Sequence, residues 1–339
     1  MPRITAMSGP LRMAEAVCAG HPDRLADSIA DAVVALACER DRAASVGIEV
    51  AVNRSVVFVD GRVAAGEGDV CVVSEEEIAA VARDVFRNAG YGPTPGTTPA
   101  DAGFGPDPGE LDVRFDLSLV RLGEEERALR DMSDDQAVGV GYAVDRPRAG
   151  YRPIEQALAS DFCRAIERLR VSRSDLGLGP DGKSLVITRG STLVGVSLSV
   201  HHRVGAEWLA LSRAVRAACE QVAAEYVAAG ELNPPAAVDW LVNGAGAFEV
   251  GGPLGDNGLS GKKLVAEAYG TAVPIGGGTV HGKDPRRVDV RAQRLARQMA
   301  LELVTSGRAH EATVWVAFRP GDVEPHWVEV VTTGLQRAA

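Results

Sequence analysis

Strand-like and helix-like segments alternate along the whole chain, and their order limits the possible folds more than any other feature of the sequence. Alternating polar and apolar residues predict strands, whereas apolar residues three or four positions apart predict helices. The two patterns recur together in three units, without detectable sequence repetition between them. At 339 residues the chain is long enough to give two or three units a core of their own.

The first unit contains two predicted helices and a predicted hairpin. One helix begins near Asp23, which could cap it, and the other begins at Ser74, where Glu77 three positions on completes a capping box. The alternating residues 47–53 and then 55–59 lead into Asp60-Gly61, a pair typical of a hairpin turn. The remaining assignments are an irregular Gly- and Pro-rich loop over residues 90–110 and a strand over residues 111–120.

The later units carry three further helices and several strands. The helices are predicted over residues 153–169, over residues 207–229 and just after residue 287. A turn is predicted over residues 180–184, because Pro, Asp and Gly occur there together. The predicted strands cover residues 185–188, 192–201, 237–242, 312–318 and 326–331.

Composition and charge exclude several classes of protein. Hydrophobic residues at 46% and charged residues at 24% are ordinary for a globular protein, and the formal net charge of -10 argues against a general nucleic-acid binder. The five cysteines are odd in number and far apart, which indicates reduced thiols in a cytoplasmic protein. We find neither a signal peptide nor an apolar run near the roughly 18 residues of a membrane span, and therefore expect no membrane anchor.

Three consecutive glycines, Gly276–Gly278, open a loop that is rich in basic residues. Lys283 follows the glycines, and the acids Asp284 and Asp289 lie close behind it. Glycine lets the backbone approach a ligand closely, cations bind phosphate oxygens, and carboxylates hold a divalent metal. A helical pattern begins directly afterwards, so the loop would also present a helix N-terminus to an anion. The loop therefore predicts a polyphosphate site, although a plain turn accounts for a Gly-rich loop equally well.

The same loop matches the spacing of a P-loop from Gly277 to Lys283, but the match fails at the next residue. A P-loop needs a Ser or Thr hydroxyl for magnesium where this chain has Asp284. No buried Val- and Ile-rich strand leads into the loop either. We therefore reject the P-loop. Another glycine-rich segment, residues 244–263, ends in Lys262 and Lys263 and is again typical of a phosphate site.

Two acidic positions in the first unit allow a functional and a structural interpretation. His21 and Asp23 lie at the start of a predicted helix, where they are either turn and cap residues or a pair that meets phosphate and metal. Glu49 lies in an otherwise apolar strand. Burying a carboxylate is costly unless it is paired or bound to a metal.

Six motifs in one order give the chain a family resemblance. The chain resembles the S-adenosylmethionine synthetase (methionine adenosyltransferase) family from about residue 12 to residue 334. The motifs are Gly20-His21-Pro22-Asp23-Arg24, Asp135-Gln136 with Gly141-Tyr142-Ala143, Asp181-Gly182-Lys183-Ser184, Phe248 with Gly251-Gly252-Pro253 and Gly255-Asp256, Gly258 with Gly261-Lys262-Lys263, and Gly276-Gly277-Gly278 with Gly282-Lys283-Asp284 and Asp289.

The resemblance implies an α+β fold of three similar subdomains around a pseudo-threefold axis, with residues 12–122, 132–235 and 236–334 as the subdomains. It further implies a homodimer, or a dimer of dimers, with active sites at the subunit interface. In the family, the sulfur of methionine attacks C5′ of ATP and releases the triphosphate, which is then cleaved to pyrophosphate and phosphate. Mg²⁺ and K⁺ assist that reaction.

The resemblance also implies a role for each matching residue. His21, near C5′, would be catalytic together with Lys183 and Lys283. Asp23 and Asp289 would serve Mg²⁺, and Glu49 would serve K⁺. The remaining implied ATP- and phosphate-binding residues are Asp181, Phe248, Asp256, Lys262, Lys263, Arg287 and Asp289, and Asp135 would contact the acceptor substrate.

The chain departs from the family pattern where the amino acid should bind. Arg62 stands where the family has a Glu that meets the methionine ammonium, and residues 123–127 (Gly-Glu-Glu-Glu-Arg) replace a Gln-Ser-Pro stretch. The gating loop after it looks shortened, and the chain ends soon after Gly334, where the family continues. A guanidinium in place of a carboxylate inverts the preferred ligand charge.

Two hypotheses follow from these departures. The first is S-adenosylmethionine synthesis from ATP and methionine with tolerated changes. The second is a diverged paralogue that uses the same ATP and Mg²⁺ site on a different, anionic acceptor, for instance by transferring pyrophosphate to a phosphorylated sugar. In the second hypothesis Arg62 would bind the acceptor.

Overall fold

A computed structural model describes residues 9–93, 103–234 and 237–334, which form two compact units. Within the described residues, unit 1 comprises residues 9–18, 144–234, 237–249 and 265–274, and unit 2 comprises the remainder. The strands are β1 (Leu11–Val17), β2 (Ser45–Asn53), β3 (Val56–Ala64), β4 (Asp112–Val120), β5 (Ala137–Val144), β6 (Leu178–Arg189), β7 (Thr192–His202), β8 (Asp239–Val242), β9 (Asn257–Leu259), β10 (Glu311–Phe318) and β11 (Trp327–Thr333). The α-helices are α1 (Pro22–Arg40), α2 (Glu75–Ala89), α3 (Glu124–Ala128), α4 (Ile154–Ser172), α5 (Trp208–Ala228), α6 (Leu264–Glu267) and α7 (Val288–Thr305).

Unit 1 is a four-stranded sheet, in the order β1-β6-β7-β8, with two helices on one face. Helix α4 packs on β1 and β6, and α5 packs on α4 and β8. The apolar stripes of both helices meet the inner face of the sheet, because side chains three or four positions apart in a helix share one face. Fully buried members of this core include Phe162, Leu198, Leu211 and Tyr226.

The predicted turn over residues 180–184 is wrong, because these residues lie inside β6. The pairing between β6 and β7 has an irregularity between Leu178 and Gly182, which absorbs the Pro-Asp-Gly sequence without reversing the chain. Neighbouring strands then hold the segment extended on both sides, with Lys183 opposite Val17 of β1 and Ser199 of β7. Lys183 is consequently exposed on the outer face of this sheet.

Unit 2 contains two sheets, of which the larger has the order β4-β3-β2-β9. Its inner face carries the buried residues Val50, Val52, Val57 and Val59, which pack against α1 and α2. The smaller sheet has the order β11-β10-β5, and α7 packs on β10. The three sheets of the described residues, each packed against at least one helix, confirm the predicted α+β class.

The hairpin of β2 and β3 turns at Arg54-Ser55, so the predicted turn at Asp60-Gly61 is wrong. Strand β3 runs straight through this pair, and Gly61 lies opposite Ile48 with a φ of 106°. A Cβ at Gly61 would lie 2.3 Å from the carbonyl oxygen of Gly47, so close approach of the two strands requires the glycine. As a result, Arg62 is a strand residue directly opposite Gly47.

Two helix starts were predicted, and one of them is corrected. The capping box of Ser74 and Glu77 is present at the start of α2, as predicted. Helix α1 is capped by His21 and not by Asp23: the His21 Nδ1 atom accepts the Asp23 N–H at 3.2 Å. Asp23 is therefore inside the first turn, where its side chain is available for other contacts.

Part of the predicted loop over residues 90–110, namely residues 94–102, lies outside the described residues. Its described part contains bridges between Phe104 and Tyr91-Gly92 and a short 3₁₀ turn at Pro108–Glu110. No helix among the described residues is long and apolar enough to cross a membrane. The five cysteines form no disulfide.

Candidate functional site

One edge of β2 collects residues from the two glycine-rich segments. Strand β9 pairs with residues 51–53 of β2, and the Ser260 N–H donates to the Val50 carbonyl at 2.9 Å. Farther along the same edge, the Ile48 N–H donates to the Gly282 carbonyl at 3.0 Å, and Lys283 forms a bridge with Gly47. Because a strand advances by about 3.3 Å per residue, the two segments lie within roughly 15 Å of each other along β2.

Asp23 is the centre of the first cluster of charges. Its side chain is buried, and Oδ1 accepts the Leu259 N–H at 3.1 Å. The Nζ atoms of Lys262 and Lys263 lie 3.4 Å and 3.3 Å from the two carboxylate oxygens. His21 lies on the same carboxylate, with Nδ1 3.8 Å from Oδ2. The structure thus brings together four of the residues that the sequence predicted.

The electrostatics of this cluster favour an ionised Asp23. Burial raises the pKa of Asp23, but the Leu259 N–H and the positive charges nearby outweigh it, so its pKa lies below the usual value. One carboxylate then faces two ammonium groups, and the cluster retains a net positive charge at the N-terminus of α1. Positive charge at a helix N-terminus is what an anionic ligand requires.

Glu49 lies between the two clusters, on the outer face of the larger sheet. The Ser260 hydroxyl donates to the Glu49 carboxylate and accepts the Val50 N–H at 2.9 Å. The strand register places Glu49 opposite Asp60, and Asp60 opposite Asp116. Several oxygen atoms are therefore presented around Glu49, which suits a hard cation.

Lys283 and Asp289 form the second cluster. The Lys283 ammonium pairs with the Asp289 carboxylate, which is in the first turn of α7. A Cβ at Gly278 would lie 2.2 Å from Asp289 Oδ1, so the triple-glycine loop folds closely around this carboxylate and tolerates no side chain there. Both charged side chains stay partly exposed, at 24% and 21%, and a ligand can reach them.

Asp284 holds the loop in place and is not a metal ligand in this arrangement. Its carboxylate, which is buried, accepts the Val46 N–H at 2.8 Å and the Arg286 N–H at 2.9 Å. The buried guanidinium of Arg130 donates to the same carboxylate and to the carbonyl of Ala44 at 2.8 Å. With both oxygens occupied by donors, Asp284 fixes Lys283 next to β2.

Arg62 has a partner that the sequence did not predict. Its two terminal nitrogens donate to the two carboxylate oxygens of Glu126 at 2.7 Å and 2.8 Å. These two hydrogen bonds hold the pKa of Glu126 below its usual range and raise the pKa of Arg62 above its usual value. The guanidinium that the sequence assigned to an anionic acceptor is therefore matched by a carboxylate.

A cavity of about 480 Å³ opens beside this pair, and we call it the Arg62 cavity. Its walls carry two exposed apolar side chains, Leu129 and Met132. The charged residues of its lining are three arginines and three acids: Arg62, Arg130, Arg287, Glu125, Glu126 and Asp134. Positive and negative charges are thus equal in number around this cavity.

Helix α3, which carries Glu126, is held in place within unit 2 by two arginines that follow that residue. Arg127 makes a bidentate pair with Asp41 at 2.7 Å and 3.0 Å. The hydrogen bonds from Arg127 hold the pKa of Asp41 far below its usual range. Arg130 reaches the Ala43 carbonyl at 3.1 Å. The Gly-Glu-Glu-Glu-Arg segment, which stands in place of the expected Gln-Ser-Pro stretch, is therefore a short helix with fixed contacts. The predicted shortening of the gating loop after it stays a prediction.

Asp135 and Arg287 lie on different cavities. Asp135 lines a second cavity, of about 530 Å³, together with Gly277, Gly278 and Asp289. Arg287 pairs with Asp134 and lines the Arg62 cavity. The predicted acceptor contact of Asp135 and the predicted phosphate contact of Arg287 stay predictions.

Comparison with known proteins gives the chain a family. Two family models match it: the N-terminal domain of S-adenosylmethionine synthetase over residues 10–100 and the C-terminal domain over residues 250–339. The S-adenosylmethionine synthase of Hyphomonas neptunium is 31% identical over 331 residues, which cover 96% of this chain and 81% of the relative. The chain belongs to the S-adenosylmethionine synthetase family. The S-adenosylmethionine synthase of Paracoccus denitrificans is 32% identical over 324 residues, which cover 94% of this chain and 80% of that relative.

The predicted family, fold and enzyme class are therefore confirmed. A solved structure described as an unusual S-adenosylmethionine synthetase from Campylobacter jejuni superposes with a TM-score of 0.82, at 24% sequence identity. The match covers 97% of this chain and 83% of the other. It shows that this synthetase-family chain has the same fold. The protein is thus a methionine adenosyltransferase-like enzyme, a transferase of this family.

Three of the predicted site residues of this S-adenosylmethionine synthetase homologue belong to unit 1. Lys183 is exposed on β6, and Asp181, two positions earlier, is buried. Phe248 exchanges backbone and side-chain contacts with His202: its N–H donates to His202 Nε2 at 3.1 Å. The predicted meeting of these residues with ATP stays a prediction, as does that of Asp256, an exposed residue of unit 2.

Sequence reasoning missed three residues that shape the site in this synthetase-family protein: Glu126, Arg130 and Ser260. The sequence contains a run of three glutamates that includes Glu126. Such a run does not indicate which of the three side chains contacts another part of the protein. Arg130 and Ser260 are contacts between segments that are far apart in the sequence. No local pattern reports such contacts.

Proposed function

We propose that this protein forms S-adenosylmethionine from ATP and methionine, with release of phosphate and pyrophosphate. One observation supports this proposal most strongly, namely the gathering of Asp23, Lys262, Lys263, Lys283 and Asp289 along one edge of β2. Three ammonium groups face two carboxylates there, and the excess positive charge suits a polyphosphate chain. The equality of charges in the Arg62 cavity suits a second substrate without net charge.

The lysines would act on the leaving group. When the sulfur lone pair of methionine attacks C5′, the C5′–O bond breaks and its electron pair stays on the triphosphate. Negative charge therefore grows on oxygens that the ammonium groups of Lys262, Lys263 and Lys283 already face. Preorganised cations stabilise such charge without reorganising during the reaction, an effect worth a rate factor of roughly 10² to 10³ per donor.

His21 would donate a hydrogen bond and would not act as a base. Its Nδ1 accepts the backbone N–H of Asp23 at 3.2 Å, so the proton of a neutral ring is on Nε2. An Nε2–H can donate to a phosphate oxygen near C5′. Attack by sulfur needs no proton transfer, and this agrees with the absence of any assigned general base.

The carboxylates of the two lysine clusters also fit the metals that the family uses. Mg²⁺ is commonly held by one or two carboxylates together with substrate phosphates, and each lysine cluster contains one carboxylate, Asp23 or Asp289. Gly278 lies so close to Asp289 that no side chain fits between them, which keeps that carboxylate partly exposed. Glu49 with Ser260 would hold K⁺. Bound metals would add positive charge at the triphosphate oxygens.

The anionic-acceptor hypothesis loses its main support in the contacts of Arg62. Both terminal nitrogens of Arg62 are used by Glu126, and a phosphorylated acceptor would have to displace that carboxylate. Displacement would leave Glu126 beside a second anion, which is unfavourable. Pyrophosphate transfer to a sugar is therefore kept only as an outcome of the test below.

We further propose that the enzyme is a homodimer. The outer face of the unit 1 sheet exposes Met13, Leu185 and Leu241, and that of the larger unit 2 sheet exposes Phe58 and Leu259. Apolar side chains grouped on sheet faces are typical of surfaces that a second subunit covers. Light scattering coupled to size-exclusion chromatography tests this proposal: a monomer of 35.5 kDa at micromolar concentration would contradict it.

The first experiment is to incubate the purified enzyme with ATP, Mg²⁺ and K⁺, with and without methionine, and to follow the products by mass spectrometry. We expect S-adenosylmethionine, phosphate and pyrophosphate in equal amounts, and only when methionine is present. Intact ATP binding without a methionine-dependent product would overturn the proposed acceptor. Formation of AMP in the presence of phosphorylated sugars would then identify pyrophosphate transfer.

A further inference from the structure

The Arg62 cavity contains a carboxylate that can bind a cationic group of the acceptor. Glu126 is 37% exposed at the cavity wall, although both its oxygens accept hydrogen bonds from Arg62. A carboxylate offers about four lone-pair sites, and a bidentate arginine uses two of them. The Ser45 side chain also hydrogen-bonds to Glu126, which leaves about one site available on the ionised carboxylate.

We propose that Glu126 binds the ammonium group of an amino-acid acceptor, and that Arg62 is the residue that positions Glu126. The proposal rests on the proposed function, because it concerns the second substrate of that reaction. In this protein the acid comes from α3 and not from β3, the strand that carries Arg62. The acid and the base have in effect exchanged elements relative to the pattern that the sequence led us to expect.

The fixed position of α3 makes this assignment chemically reasonable. Arg127 and Arg130, which follow Glu126 in the sequence, are bound to Asp41 and to Asp284. Glu126 therefore loses little further side-chain freedom when it binds a ligand, since Arg62 already orders it. Preorganisation of this kind improves affinity by lowering the entropic cost of binding.

Other parts of the cavity fit the remainder of an apolar amino acid. Leu129 and Met132, at 57% and 41% exposure, offer apolar surface to an alkyl or thioether chain. The Ser133 hydroxyl also belongs to the lining; it is buried and has no hydrogen-bond partner among residues 9–93, 103–234 and 237–334. A buried hydroxyl without a partner costs free energy, so a polar ligand atom in the cavity is the expected partner.

An acceptor bound through an anionic group at Arg62 is the competing assignment. It would break two short hydrogen bonds and place a second negative charge against Glu126. A zwitterion instead adds its ammonium to Glu126 and leaves the pair intact. The geometry therefore favours an amino acid with a free ammonium group.

Glu126→Gln tests the proposal, with methionine and its analogue without the amino group, methylthiobutanoate, as probes. We expect the KM for methionine to rise roughly 10- to 100-fold, as for the loss of a hydrogen bond to a charged group. The affinity for methylthiobutanoate and the KM for ATP should stay within about twofold, since neither involves the ammonium group. Equal losses for both acceptors would show that Glu126 has only a structural role and would overturn the proposal.

Glu124→Gln is the matched control, because it removes the same charge from the same short helix. Glu124 is exposed and does not line the cavity. We expect this variant to keep the affinity for methionine. If Glu124→Gln raised the KM for methionine as much as Glu126→Gln did, the effect would be one of general charge, and the assignment to Glu126 would fail.

The exchanged pair Arg62→Glu with Glu126→Arg gives a second, independent test. The single variant Arg62→Glu places two carboxylates side by side and should weaken methionine binding, because repulsion displaces Glu126. The double variant restores one acid and one base, and we expect it to recover methionine binding to within about tenfold of the original. The proposal would be contradicted if the double variant bound methionine no better than Arg62→Glu did, provided that its circular dichroism spectrum shows a folded protein.

Binding and turnover are measured separately, so that this proposal and the proposed function can fail separately. Calorimetry with a non-hydrolysable ATP analogue reports whether methionine binds more tightly than methylthiobutanoate. Preferential binding that depends on Glu126, without formation of S-adenosylmethionine, would refute the proposed reaction and support the ammonium site. Turnover of methionine that does not depend on Glu126 would support the proposed reaction and refute the ammonium site.

Discussion

The two lysine clusters along β2, which we call the phosphate side, differ in charge balance from the Arg62 cavity, which we call the acceptor side. On the phosphate side Lys262 and Lys263 share the single buried carboxylate of Asp23, whereas on the acceptor side Arg62 is matched by one carboxylate of its own. Counting the second cluster, three ammonium groups face two carboxylates on the phosphate side. Around the Arg62 cavity, three arginines face three acids.

Under the proposed function, the difference illustrates how one half of a site can change its charges while the other half keeps them. An excess of positive charge attracts a polyphosphate chain, so a neutral residue in place of a lysine would weaken that attraction. A balanced set of charges can exchange its acid and its base and remain balanced. The inverted charge at Arg62 is therefore best understood together with Glu126, and not as a change of ligand charge by itself.

The largest effect should come from the phosphate side. Lys283→Ala removes one of the three ammonium groups that, under the proposed function, face the leaving group, and it leaves the Asp289 carboxylate uncompensated. We expect kcat/KM for ATP to fall by at least about 100-fold, the usual loss for a preorganised donor. Steady-state kinetics at saturating acceptor would measure it.

Arg286→Ala provides the control for this loop. Arg286 pairs with Asp131, which is exposed, and neither belongs to the lysine clusters. The exchange should leave kcat/KM for ATP within about threefold, because exposed ion pairs contribute little. If Lys283→Ala kept full turnover, the phosphate side would have to be assigned elsewhere.

A second effect should separate stability from catalysis at the link between the two sides. Arg130→Met removes the buried partner of Asp284 and leaves a buried carboxylate uncompensated. We expect a loss of about 3–5 kcal/mol in the free energy of unfolding, the usual cost of breaking a buried pair. Urea denaturation followed by circular dichroism would measure it.

The double variant Arg130→Met with Asp284→Asn tests the reason for that loss. Removing the carboxylate charge as well should recover part of the stability, since the penalty comes from the unpaired charge and not from the missing arginine. A double variant as unstable as the single one would instead point to the carbonyls of Ala43 and Ala44, which Arg130 also binds.

A third effect comes from unit 1, outside both sides, and sets a baseline for pH studies of either side. Burial lowers the pKa of His201 from 6.5 to about 4, and the neighbouring His202 contributes in the same direction. A group whose pKa is lower in the folded state contributes stability above its unfolded value. That contribution is lost as the pH falls from about 6.5 to about 4, because only the unfolded state binds the proton.

Each pH unit in that window should cost roughly 1.4 kcal/mol of unfolding free energy. Urea midpoints measured between pH 7 and pH 4.5 would show the decline, and His201→Gln should reduce its slope. An equal slope in the variant would mean that other groups dominate the pH dependence. Kinetic pH profiles of the phosphate and acceptor sides need this correction before they are compared.

Most residues of the two lysine clusters could be picked out from the sequence. The motifs around His21, Lys262 and Lys283 each pair glycine or a helix start with cations, and these local combinations have a chemical meaning without any knowledge of the fold. The capping box at Ser74 and the periodicity of the helices were equally local. Patterns of this kind can be recognised in a sequence because backbone geometry and short-range spacing determine them.

Only the tertiary structure decided the partners of the charged residues. Arg62 and Glu126 are 64 positions apart, and Arg130 and Asp284 are 154 positions apart. The effect of a charge depends on which opposite charge lies within a few ångströms, and sequence spacing does not report that distance. For the same reason the turns at residues 60–61 and 180–184 were predicted wrongly, since neighbouring strands held those segments extended against their local preference.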